Sequence, residues 1–344
     1  MAWLQKILHF LKSINYILVL AWVLPIGILL TILYLNFLPF GYEKTLTIHA
    51  GTEGDDKGEF YLEKNSILGA RQSIDGKNFR YLDGLVYAVY KPKAVLQNAT
   101  IEATVEGKGV SFILPPDLEN VAWDYIWDAQ TIARDFKTSS TIVIKDDCLY
   151  FDGNTRYELP NTADKFEDGP FAVYVEWIPE VATNSQQIVG HFNWEIAQNK
   201  DNISFQVGRM DTSTGPTFKI SYPINESFFN QKHILLAIYN PIGENNTDGY
   251  AELFVDNIFT GKVIFGDRTI LKNYGKSNLG IGWSTRNAHK NLFFKGSIYH
   301  IKLISTNLNS QLTNTWNFKF EEKNIKIPVW GTGELYKIKI KVTK

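Results

Sequence analysis

Gly169–Pro179 reads GPFAVYVEWIP. Phe171, Val173, Val175 and Trp177 take one parity, and Ala172, Tyr174 and Glu176 take the other. Side chains alternate across a strand with period two, so this is a strand with one apolar face. Working outward, QQIVGHF (186–192), ISFQVGRM (203–210) and TFKISYP (217–223) continue the same pattern. HILLAIYN (233–240) is almost wholly apolar, which predicts a central strand buried on both sides. YAELFVDNIFTGKVIF (250–265) predicts a hairpin turning at Asp256-Asn257, because both residue types tolerate positive φ. Upstream, STIVIKDDCLYFDGNTRYELP (140–160) predicts two strands joined at Asp152-Gly153. NLGIGWS (278–284) and FFKGSIYHIKLIS (293–305) close the set. The reading is all-β, with a sandwich over 136–308.

The order of LYFDGNTRYELP, GPFAVYVEWIP, HILLAIYN, ELFVDNIFTGK and LGIGW…FFKGSIYHIKLIS resembles the concanavalin A-like lectin/glucanase sandwich, in its laminin-G-like branch. The resemblance covers about half the chain. It implies a jelly roll with loops gathered at one rim and an extracellular glycan or protein as ligand. Glucanases of this kind set two acids on one strand as Glu-x-Asp-x-x-Glu, and no such strand occurs here; the nearest acids are Glu176 and Glu180. Some laminin-G-like members bind calcium at the rim. Asp211 and Asp267 are the acids placed for it, although turn-capping aspartates look the same. Rim aromatics with polar neighbours are the expected ligand-binding residues: Trp194, Tyr274 and Trp283 with Arg286 and Asn287. For Trp283 a core role competes.

The N-terminal part has a different character. Ile14–Phe40, INYILVLAWVLPIGILLTILYLNFLPF, holds no acid, base or histidine. About 20 apolar residues span a bilayer core of about 30 Å, so this stretch predicts one transmembrane helix. Lys6 and Lys12 precede it, placing residues 1–13 in the cytoplasm and the bulk outside. The apolar run exceeds a signal-peptide core and no small-x-small site follows, so an uncleaved signal-anchor is expected.

Between the span and the sandwich, residues 42–135 predict a membrane-proximal β unit. Leu46 and Ile48 alternate with Thr45, Thr47 and His49, and LVYAVY, ATIEATVEG and VSFILPP follow as short β runs. NVAWDYIWDAQTIARDF (120–136) has helical spacing of Trp123, Ile126 and Trp127. Over 309–344 the tail ends in a strand with a lysine face, Lys337, Lys339 and Lys341, expected at an exposed edge. Because a laminin-G-like domain ends near 308, the tail is expected to return to the membrane-proximal unit.

Composition excludes several classes. Net charge is −1 and no basic block occurs in the body of the chain, so nucleic acid is not an expected partner. Cys148 is the single cysteine, so no intramolecular disulfide forms. His9, His49, His191, His233, His289 and His300 are scattered, with no metalloprotease motif. Glu53, Asp55, Asp56 and Glu59 crowd a glycine-rich turn without calcium-loop spacing. Asn98, Asn202, Asn225 and Asn245 open glycosylation sequons. No catalytic centre is legible and no cofactor is required. The reading is a surface-anchored binder or adhesin; a structural envelope subunit and a degenerate glycoside hydrolase stay open.

Overall fold

The computed structural model describes residues 24–30, 42–49, 58–63, 67–93, 98–138, 143–162, 169–181, 184–208, 217–241, 249–266, 278–283, 292–320 and 324–344. Most of the apolar stretch 14–40 lies outside these residues; 24–30 is helical, with Leu24, Ile26, Ile28, Leu29 and Leu30 exposed. Among the described residues no helix is long and apolar enough to cross a membrane.

In chain order the strands are β1 (Glu43–His49), β2 (Phe60–Leu62), β3 (Ile67–Gln72), β4 (Asn78–Tyr90), β5 (Ala99–Leu114) and β6 (Tyr125–Asp128), then helix α1 (Ala129–Asp135). They continue with β7 (Lys137–Thr138), β8 (Ile144–Lys145), β9 (Cys148–Asp152), β10 (Tyr157–Leu159), β11 (Phe171–Pro179), β12 (Gln186–His191), β13 (Trp194–Gln198), β14 (Asn202–Gly208) and β15 (Thr217–Pro223). The last are β16 (His233–Asn240), β17 (Gly249–Val255), β18 (Ile258–Gly266), β19 (Leu279–Ile281), β20 (Lys295–Ile304), β21 (Gln311–Thr313), β22 (Thr315–Phe320) and β23 (Ile325–Thr343). The chain divides into two compact units, one of residues 1–112 with 314–344, the other of 113–313.

The first unit is built on β23. This strand lies between β4 and β5 in the order β2-β4-β23-β5. On one flank it pairs with β4 from Ile325↔Tyr90 to Leu335↔Arg80, then with β1 from Lys337↔His49 to Thr343↔Glu43. On the other it pairs with β5 as far as Thr343↔Thr100. Its inward residues Ile327, Val329, Ile338, Ile340 and Val342 are fully buried. The lysine face is therefore not edge protection. It is the outward face of an internal strand, where Lys337 pairs with Glu106 at 2.9 Å and Lys341 with Glu43 at 3.2 Å.

Midway, β23 slips register twice against β5, at Gly331/Glu334 and Leu335/Lys337. Gly331 sits there at φ +156°, and a Cβ on it would lie 2.0 Å from the Gly109 carbonyl oxygen. Two backbones meet where no side chain fits.

In the second unit, a seven-stranded sheet β15-β14-β13-β12-β19-β10-β7 faces an eight-stranded one, β18-β17-β16-β11-β20-β9-β8 with β6 on β20. One core fills the space between them. Phe171, Val173, Val175 and Trp177 from β11 meet Ile196, Phe205 and Ile281 from the facing sheet, all essentially inaccessible. β16 is flanked by β11 and β17, as its apolar sequence requires.

Three local expectations are corrected. Residues 120–136 are not one helix. Tyr125–Asp128 is a strand on β20, with Trp127 buried and Ile126 exposed in strand alternation. The helix starts only after Asp128, whose side chain accepts from Thr131 N at 2.8 Å while Thr131 Oγ1 accepts from Asp128 N at 2.8 Å. That stretch belongs to the sandwich unit, which opens at 113 and closes at 313. Asp152-Gly153 is no hairpin either. β9 and β10 lie in different sheets, and Asp152 Oδ1 accepts from the N–H groups of Asn154 and Thr155 to carry the chain across. Asp256-Asn257, at φ +52° and +61°, is the expected hairpin turn.

Replacing Gly331 by Val should destabilise by about 1–3 kcal/mol in denaturant unfolding, against about 0.5 kcal/mol or less for exposed Thr332→Ala. The Asp128 carboxyl is held below its ordinary value, first by the Thr131 backbone N–H and then by its hydroxyl. Its stabilisation is present above the unfolded pKa, near 3.9, and is lost as pH falls through the depressed folded value. Asp128→Ala should cost about 1 kcal/mol at pH 7, and that cost should shrink below pH 4 in thermal unfolding.

Candidate functional site

Strand parity decides what the outer face of the seven-stranded sheet carries. Trp194, Ile196, Ile203, Phe205 and Val207 point into the core. Their neighbours Glu195, Ala197, Ser204 and Gln206 must point out. The pairings Glu158↔Gly280, Gly280↔Gly190, Gly190↔Glu195, Glu195↔Gln206 and Gln206↔Lys219 set six residues in one row across five strand junctions. The adjacent row is Gln187, Ala197, Ser204 and Ser221.

The row has a distinct profile. Gly280 and Gly190 lie side by side, both buried, and leave a side-chain-free furrow two strands wide, about 10 Å. A Cβ on Gly190 would come within 3.3 Å of the Glu195 Cβ, so any larger residue would crowd that carboxylate. Glu158 stands on one bank, its Oε1 accepting from Asn278 Nδ2 at 2.7 Å. Glu195 stands on the other, its Oε2 accepting from Gln187 Nε2 at 2.5 Å. Three strand spacings put their Cα atoms roughly 14 Å apart.

Burial sets this face apart from an ordinary solvated one. Glu195 is 2 % exposed, Gln187 0 % and Ser204 3 %. Glu158 and Gln206 are half-buried, and Lys219 and Ser221 are open to solvent. Burying a carboxylate and an amide costs free energy unless hydrogen bonds replace water. The Gln187–Glu195 bond does so here, in surroundings where a further hydrogen bond is stronger than in water. At the tip of the β12–β13 hairpin, Asn193 is 1 % exposed, and neither its Nδ2 nor its Oδ1 has a hydrogen-bond partner among the described residues. A buried carboxamide in that condition is a place for water or a ligand hydroxyl.

Of the ligand-binding residues expected from sequence, the two that are described, Trp194 and Trp283, fall elsewhere. Trp194 is fully buried, its ring 5.0 Å from Phe171. HFNW is not an open loop: His191 pairs with Trp194 across a two-residue turn, which commits the tryptophan to the core. Trp283 is 8 % exposed; its Nε1 donates to the Tyr157 carbonyl at 3.0 Å, and the Arg156 guanidinium lies 4.8 Å from its ring. Gly282 before it, at φ +77°, is pressed against Phe151, where a Cβ would approach within 2.3 Å. Trp283 thus locks the end of β19 rather than presenting a free ring. Tyr274, Arg286 and Asn287 lie outside the described residues, as do Asp211, Asp267, Glu53, Asp55, Asp56 and Asn245. Among the described residues no cluster of three or more metal-ligating side chains occurs.

Asn98 and Asn225 are exposed and Asn202 is half-buried at the start of β14; the Asn225 side chain is engaged, accepting from Ser227 N at 3.0 Å. Glu176 and Glu180 are structural. Glu176 bonds Lys232 and lies 3.1 Å from His300 Nδ1, and Glu180 pairs with Lys295 at 2.9 Å. Burial pushes the Glu176 carboxyl up, but Lys232 and His300 together hold it below its usual range.

Glu195 and Gln187 are what the sequence reading missed. The signal was present: in WEIAQ the acid alternates with Trp194 and Ile196, so it faces outward once that stretch is read as a strand.

No protein-family model matches the chain, and no curated protein matches it in sequence. Solved structures resemble it, three of them as follows. One is the CBM40 of the Ruminococcus gnavus IT-sialidase bound to α2,3-sialyllactose, at TM-score 0.39 and 13% identity over 49% of this chain and 95% of that one. Another is the K499G mutant of the NanB sialidase from Streptococcus pneumoniae, at TM-score 0.38 and 15% identity over 47% of this chain and 26% of that one. The third is domain 4 of AbnA, an extracellular GH43 arabinanase of Geobacillus stearothermophilus in complex with arabinotriose, at TM-score 0.35 and 12% identity over 60% and 95%. At these TM-scores the likeness carries no weight for the site, which stands on its own geometry.

Trp194→Ala should lower stability by about 3–5 kcal/mol in denaturant unfolding, as for any large core aromatic. An exposed binding ring would show almost no change.

Proposed function

We propose that the chain is a cell-surface binding protein whose sandwich, of laminin-G-like type, holds an extracellular glycan in the furrow between Glu158 and Glu195. The observation that carries this reading is the Gly280–Gly190 furrow, set beside a buried Gln187–Glu195 hydrogen bond on the outer face of a sheet. Sugars present many hydroxyl donors and acceptors and little charge. A bank of carboxylate and amide groups with a side-chain-free floor matches that chemistry: carboxylates accept from hydroxyls, and amides do both. The roles are binding and orientation. Glu158 and Glu195 are separated by the furrow, and neither is set against a partner acid on its own strand in the manner of a hydrolytic pair.

Location is part of the same proposal. The apolar stretch 14–40 anchors the chain in a bilayer as a single span, with the N-terminus in the cytoplasm and both β units outside. Glycosylation of the exposed Asn98 and Asn225 would be compatible with that side of the membrane.

Glu195→Gln keeps shape and removes charge. On a glycan array the full chain should bind its preferred glycan, and Glu195→Gln should weaken binding roughly 10- to 100-fold, the range of a hydrogen bond to a charged group. Gly190→Leu should abolish binding by filling the furrow. Glycan binding that survives both substitutions would remove the furrow from consideration.

A further inference from the structure

The proposed furrow leaves unused a second feature, at one end of the first unit's sheet. β1 and β5 begin there, and β22 and β23 end there. Lys344 N donates to the Tyr42 carbonyl at 2.9 Å, so the last strand closes against the residue that opens the β body. Register sets two outward rows at this end. One is Glu43, Thr343, Thr100 and Lys319; the next is Thr45, Lys341, Glu102 and Asn317. Thr100, Glu102, Asn317, Lys319 and Thr343 are exposed, and Lys341 is half-buried. Together these residues line a pocket of about 510 Å³.

The donor set is specific in character. Two ammonium groups, a carboxamide and the Thr343 hydroxyl line it, against one carboxylate, Glu102; the Thr100 hydroxyl donates to the Thr343 carbonyl at 3.3 Å. Lys341 is partly neutralised by Glu43 at 3.2 Å. Lys319 makes no ion pair among the described residues. Ammonium groups with hydroxyl and amide donors suit a phosphate, which offers several acceptor oxygens and negative charge.

Position says where that phosphate comes from. Glu43, in the first row, comes three positions after Phe40, the end of the apolar stretch. That is at most about 10 Å of chain. The polar layer on each side of a bilayer core is roughly 5–8 Å deep. We propose that this pocket is a lipid-facing site, in which Lys319 and Lys341 bind phosphate groups of the bilayer into which the chain is anchored, pinning the base of the protein to the surface. The proposal rests on the anchor reading of residues 14–40 and is separable from it.

The test uses the full chain in nanodiscs of phosphatidylcholine alone or mixed with phosphatidylglycerol. Thr45→Cys, outside the pocket but beside Lys341, carries a fluorophore, and headgroup-labelled lipid is the quencher. Quenching should be strong and stronger with phosphatidylglycerol. A Lys319→Gln/Lys341→Gln variant should lose that preference roughly 10- to 30-fold, consistent with two lysines at a membrane surface. Thermal unfolding of the variant identifies misfolding, and Lys319→Arg should restore the preference in a folded protein. Extraction of the wild type from membranes by alkaline carbonate would overturn the anchor reading itself. Retention in the membrane with no quenching at residue 45, or with quenching indifferent to both lysines, would overturn the pocket alone. Quenching abolished by inorganic phosphate yet indifferent to lipid composition would likewise overturn it, marking a site for free phosphate.

Discussion

The last strand holds the first unit together. β23 is the central member of its sheet, and β4, β1 and β5 all hang their ladders on it. A sheet whose central strand comes last cannot be completed until the chain has returned from the intervening residues 113–313. Such pairing is of high contact order and closes a long loop, and the enclosed compact unit shortens the effective distance. The Gly331–Gly109 crossing is the local condition for it, because two backbones meet there with no room for a methyl group.

The same strand explains why the lysine face is not simply decoration. On an edge strand, Lys337, Lys339 and Lys341 would repel a partner chain. On an internal strand they stand over the sheet among Glu106, Glu43, Thr100 and Thr104, forming a mixed polar face whose ends differ. At the end nearest Tyr42 the balance favours cations, the feature on which the proposed phosphate site rests.

In the sandwich unit, the proposed site and the core use opposite sides of the same strands. β13 gives Trp194 and Ile196 to the core and Glu195 to the outer face. The two roles are coupled, since a one-residue slip would exchange them. The β12–β13 pairing irregularity at Gln187/Val189 re-aims the chain so that Gln187 meets Glu195 while Ile188 and Val189 remain buried. A polar pair held inside a sheet face at such low exposure is stiff, and stiffness lowers the cost of ordering a flexible ligand against it.

What the sequence determined by itself was whatever period-two alternation and turn chemistry encode locally. The parity of Phe171, Val173, Val175 and Trp177, the central character of HILLAIYN and the turn at Asp256-Asn257 were all legible, because each depends on neighbours within a few residues. The tertiary structure decided what depends on partners far along the chain. It alone showed that Asp152-Gly153 passes between sheets, that Tyr125–Asp128 is drawn into strand geometry by β20, and that Glu195, on the face opposite Trp194, is buried beside Gln187. The furrow belongs to this second kind. Glu158, Gly280, Gly190, Glu195, Gln206 and Lys219 become neighbours only through ladder register, a long-range hydrogen-bonding constraint that no local pattern in the chain records.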